Sequence, residues 1–72
     1  MEKLAKDLQA VLKDFTGCTV EPGIDDVHVY RDNDVVTPYL AATIFKFAKV
    51  RSLRCYIGVS LQGHLRFVLY KN

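Results

Sequence analysis

Acidic side chains stop at Asp34. Residues 35–72 contain no Asp or Glu, although residues 1–34 carry eight of them against four Lys and Arg. The first part of the chain therefore bears a net charge of −4 and the second +6, which together give the formal +2 of the whole. Such a division points to an anionic partner or to contact between oppositely charged surfaces, and it says little about fold. Cysteine is scarce too. Cys18 and Cys55 are too few for the multi-bridge framework of small secreted domains, and neither sits in a CxxC or Cys/His metal spacing. We expect both to be buried thiols.

Long apolar runs are missing. Lys46, Lys49, Arg51 and Arg54 interrupt the most apolar region, so nothing approaches the roughly 18 apolar residues of a membrane span. The N-terminus is a mixed-charge amphipathic stretch, not the basic patch and apolar run of a secretory signal. We therefore expect a soluble, cytoplasmic protein that makes no use of a membrane. The starting Met and the lack of a flanking linker lead us to expect a complete small protein. Glycine is sparse, and Gly17, Gly23, Gly58 and Gly63 are isolated, which excludes a Gly-rich phosphate loop.

What is present is a half-apolar chain, 50% hydrophobic with 25% charged residues, of a length that allows one domain spanning residues 1–72. A core this small supplies no more than about 3 to 5 kcal/mol, so support from a partner subunit is expected.

From Glu2 to Phe15, Leu4, Leu8, Val11, Leu12 and Phe15 follow the 3.6-residue period of a helix, with Glu2–Lys6 and Lys3–Asp7 pairs on the opposite face. Gly17 is placed to end it. Cys18 to Glu21 and Val27 to Arg31 alternate as short strands around a Pro22-Gly23 turn, and Asp32-Asn33-Asp34 forms a polar turn after them. Thr37-Pro38 has the chemistry of a helix start, followed by the apolar stripe Leu40, Ala41, Ile44, Phe45, Phe47 and Ala48. A strand through Ile44 to Val50 competes with that helix. Ala41-Ala42 opens a strand poorly, and we take the helix.

The last 20 residues are a hairpin. Cys55, Ile57, Val59 and Leu61 share one face of its first strand, and Leu65, Phe67 and Leu69 share one face of its second. Parity decides the loop. A two-residue turn at Gln62-Gly63 would set Arg66 opposite Val59 and drive a cation into the core. A three-residue loop, Leu61-Gln62-Gly63 with Gly63 in the left-handed conformation, pairs Val59 with Leu65 and Ile57 with Phe67. The order is αββαββ, and the expected fold is α+β: a four-stranded antiparallel sheet with two helices packed on one face. A faint repeat at spacings of 36 (Leu4-Ala5 with Leu40-Ala41) and 40 (residues 27–31 with 67–71) follows that order. The repeat would let two αββ units pack with approximate twofold symmetry, and chance similarity between amphipathic segments accounts for it as well.

Catalysis finds little support. His28 and His64 have no Ser, Cys or acid at the spacing of a nucleophile motif, and His28 reads as a solvated strand residue. Glu21, Asp25, Asp26, Asp32 and Asp34 lack the spacing of a calcium loop and read as solvated turn residues. We expect no enzyme, no cofactor and no metal site. The outer face of the C-terminal hairpin carries Arg54, Tyr56, Ser60, His64, Arg66, Val68 and Tyr70, and Lys46, Lys49 and Arg51 would extend its positive field if they lie near the same edge. Cations interleaved with tyrosines suit a protein interface, including a homodimer, and also single-stranded nucleic acid, where cations track phosphates and rings stack on bases. The candidate binding residues are Lys46, Lys49, Arg51, Arg54, Tyr56, Arg66 and Tyr70. The protein-contact reading ranks first, because the acidic first half would repel a nucleic acid.

Overall fold

Alternation on the strands and the 3.6-residue period on the helices put one apolar surface on each element, and the fold joins these surfaces. The computed structural model describes residues 1–71. Its elements are α1 (Glu2–Val11), β1 (Cys18–Pro22), β2 (Asp26–Arg31), α2 (Pro38–Val50), β3 (Arg54–Val59) and β4 (Leu65–Tyr70). The strands form one antiparallel sheet in the order β1-β2-β4-β3. Ala5, Leu8 and Leu12 from the first helical segment and Leu40, Ile44, Phe47 and Ala48 from α2 bury against Val27, Val29, Phe67 and Leu69 of the two central strands. Both helices therefore cover the same face of the sheet.

The αββαββ order, the helix over 38–50 and the hairpin parity are as the sequence leads one to expect. Thr37 caps α2, its Oγ1 accepting from the Leu40 amide at 3.1 Å, with Pro38 in the first turn. Val59 pairs with Leu65 and Ile57 with Phe67, and Gly63 has φ +85° in the loop closed by Ser60 and His64. No helix among the described residues is long and apolar enough to cross a membrane.

Three local expectations are corrected. First, α1 ends at Val11, not Phe15. Leu12 leaves the helix with its amide still bonded to Leu8, and a turn carries half-buried Phe15 onto the core. Gly17 (φ +76°) thus caps no helix and instead turns the chain into β1, its carbonyl accepting from the Asp32 amide at 2.9 Å. Second, Ile57 and Val59 are 45% and 67% exposed, not buried on the inner face, because β3 is an edge strand that α2 covers only in part. Third, Cys18 and Cys55 are free and only half-buried, since both stand on edge strands. Burial nevertheless raises both thiol pKa values, that of Cys55 to about 11.

Candidate functional site

The face of the sheet away from the helices is built by the alternate residues of four strands. Asp26, His28 and Tyr30 come from β2, Arg66, Val68 and Tyr70 from β4, Arg54, Tyr56 and Gly58 from β3, and Thr19 and Glu21 from β1. His28 and Tyr56 stand directly across from Val68 on either side, and Tyr70 lies between Asp26 and Arg54. The consequence is a covered centre: Val68 is only 6% exposed although no helix lies over it. Tyr56 and Tyr70 meet edge to face at 5.7 Å between centroids, and Tyr56 remains half exposed.

A polar chain runs beside this aromatic pair. Arg66 Nη1 donates to His28 Nδ1 at 3.3 Å, and His28 Nε2 contacts Asp26 Oδ2 at 3.0 Å. A guanidinium can only donate, so Nδ1 is the acceptor, and the imidazole proton sits on Nε2, where it is donated to the carboxylate. His28 is therefore a half-buried connector, not the solvated residue expected from its sequence position. The Arg66 guanidinium lies 5.1 Å from the Tyr30 ring centroid, and its buried Nε has no acceptor among the described residues. Hydrogen bonding to Glu21, followed by burial, pushes the Tyr30 phenol above its usual pKa.

Arg54, Tyr56, Arg66 and Tyr70 are thus brought together on one face, as expected. Lys46, Lys49 and Arg51 are not with them. They belong to α2 and its C-terminal cap on the other side of the sheet, where the Arg51 guanidinium lies 3.8 Å from the centroid of the Phe47 ring. His64 lies in the loop before β4, its Nδ1 2.8 Å from Asp34 Oδ2. That hydrogen bond is the main reason the Asp34 pKa is lowered. Asp34 Oδ1 also accepts from the Leu65 amide at 3.2 Å, tying the turn after β2 to the start of β4.

The sequence-based list omits Glu21, Asp26, His28 and Tyr30, which complete the face. Their alternation is visible in the sequence, but their place beside Arg66 and Val68 depends on β2 pairing with β4, which no local pattern announces. Among the described residues, no three His, Cys, Asp or Glu side chains gather as a metal ion would require. The chain matches no family model, and no curated protein or solved structure is significantly similar to it.

Proposed function

We propose that this chain is a non-enzymatic protein-binding module whose contact surface is the helix-free face of the sheet. The observation that carries this reading is the covered Val68, walled by His28, Tyr56 and Tyr70 on a face that no helix overlies among the described residues. Tyrosine and arginine around an apolar centre are the composition of interaction hot spots, because rigid rings and forked guanidinium groups give large contact area at low entropy cost. Both signs of charge occur on the face, Arg54 and Arg66 against Glu21 and Asp26, and this suits a protein surface of mixed polarity.

The same observation weakens the single-stranded nucleic-acid reading. Carboxylates lie among the tyrosines, Arg66 is engaged by His28 and Tyr30, and three of the six cations of residues 35–72 are on the other side of the sheet. A polyanion would meet a face of weak net charge.

Affinity capture with the wild type, with Tyr56→Ala and with Lys46→Ala tests the proposal. A protein partner retained by the wild type and by Lys46→Ala but lost from Tyr56→Ala is the expected result. Capture of nucleic acid, with affinity falling steeply as salt rises, overturns it.

A further inference from the structure

The two edges of the sheet differ in a way that decides how copies of this chain meet. In an antiparallel pair, alternate residues direct both amide and carbonyl to the partner strand and the rest direct both outward. The bond from the Ser60 amide to the His64 carbonyl, 2.9 Å, fixes this phase for the C-terminal hairpin: even-numbered residues of β3 bond to β4. Cys55, Ile57 and Val59 therefore turn their amides and carbonyls to the open edge, and among the described residues no hydrogen bond reaches them.

The β1 edge is closed by contrast. Its outward residues are Cys18, Val20 and Pro22. Gln9 of α1 takes the Cys18 carbonyl and the Val20 amide, and Pro22 has no amide hydrogen.

We propose that β3 is a dimerisation edge, pairing antiparallel with β3 of a second copy about a twofold axis at Ile57 to give one eight-stranded sheet. Register follows from hydrogen-bond phase. With Ile57 opposite itself, Cys55 faces Val59 of the second copy and Val59 faces its Cys55, so all three outward residues of each copy are paired. A twofold centred on Tyr56 or Gly58 leaves one of them outside that set.

Side chains agree with this occupant. No charged residue occurs from Cys55 to Gly63, so the paired stretch of β3 brings no like charges together. Arg54 falls opposite Ser60 of the second copy, and at about 3.4 Å per residue the two Arg54 side chains are roughly 20 Å apart, well beyond the screening length of about 8 Å. Phe45, Ile57 and Val59, which one copy leaves 41%, 45% and 67% exposed, converge from both copies on the helix side of the joined sheet. The closed β1 edges then face outward at both ends, which limits assembly to two copies instead of a growing sheet. The pairing goes beyond the binding reading above, since it is made by the backbone edge of β3 and not by the helix-free face.

Sedimentation equilibrium tests it. The wild type should run at twice the 8.2 kDa chain mass in the micromolar range. Val59→Lys, at an exposed position, should keep its circular dichroism and raise the dissociation constant at least about tenfold. In a Cys18→Ser, Cys55→Ser background, Ile57→Cys should oxidise to a cross-linked dimer and Val59→Cys should not, because only residue 57 meets itself. In the unmodified protein, amide exchange at Cys55, Ile57 and Val59 should slow as concentration rises. A monomer at several hundred micromolar overturns the proposal. So does a dimer that survives Val59→Lys with these three amides still exchanging freely, or an acidic or other extended peptide that adds to β3 of a monomer.

Discussion

Gln9 stands in for a missing strand beside Val20. Its Oε1 accepts from the Val20 amide at 3.2 Å while its Nε2 donates to the Cys18 carbonyl at 3.3 Å, so a helical carboxamide satisfies the strand edge that it crosses. Exposed hydrogen bonds of this kind contribute about 1 kcal/mol net. Gln9→Ala should lower stability by that order in urea denaturation. It should also open β1 to pairing, and light scattering should then find species heavier than those of the wild type. An unchanged size distribution would mean that Pro22 alone is enough to close the edge.

Legibility tracked how local each cause was. Thr37-Pro38, the alternation of residues 54–59 and 65–70 and the parity of the Leu61-Gln62-Gly63 loop act through neighbours in sequence, and they specify α2 and the hairpin with its register. The end of α1 did not follow from periodicity, because Phe15 reaches the core equally well from a turn. The strand order was beyond reach for a further reason. Residues related by the faint 40-residue repeat, His28 and Val68, pair with each other across β2 and β4, and this gives the sheet an approximate twofold arrangement. That contact joins segments far apart in the chain, and with it came Asp26, His28 and Tyr30 beside Arg66. The separation of Lys46, Lys49 and Arg51 from Arg54 has the same origin, since composition records charge without recording which side of a sheet it occupies.

Gly63 tests the hairpin loop through the backbone alone. It has φ +85°, and a Cβ there would meet nothing within 4 Å. Any loss on substitution therefore reflects left-handed strain, of about 1 to 2 kcal/mol for an ordinary L-residue. Gly63→Ala should be destabilised by that amount and Gly63→Asn by less, since Asn tolerates the region better. Equal stability of Gly63→Ala and the wild type in thermal unfolding would contradict the conformation.

The Asp34–His64 contact predicts an acid-sensitive tie between the two halves of the chain. Folding lowers the Asp34 pKa, chiefly through the hydrogen bond from His64, with the Leu65 amide acting in the same direction and burial opposing. The ionised carboxylate therefore contributes stability that is fully present above the ordinary carboxylate value of about 4 and is lost as pH falls through the lower folded value. Asp34→Asn keeps a residue suited to the observed φ of +56° while removing the charge. The variant should be less stable than the wild type at pH 7, and the difference should shrink below about pH 4. A difference that stays constant between pH 7 and pH 2 in urea denaturation would show that the carboxylate's charge is not what matters.

Arg66 separates stability from binding. Its guanidinium bonds to His28 and lies over Tyr30, but its buried Nε has no acceptor among the described residues, and an unpaired buried donor costs about 1 to 3 kcal/mol. The stacking on Tyr30 returns about 0.5 to 1 kcal/mol, so the charged end is a poor stabiliser of the chain by itself. The aliphatic stem is different, because it rises from β4 opposite Gly58, which offers no side chain, and an arginine stem contributes apolar cover apart from its charge. Arg66→Met keeps the stem and removes the orphaned donor, and it should unfold at the wild-type denaturant concentration or slightly above it. Arg66→Ala loses stem and ring contact together and should be weaker by about 1 to 2 kcal/mol. If the guanidinium serves a partner on this face, Arg66→Met should lose that partner while gaining or keeping stability. A Met variant that unfolds as easily as the Ala variant would instead assign the guanidinium to holding β2 and β4 together.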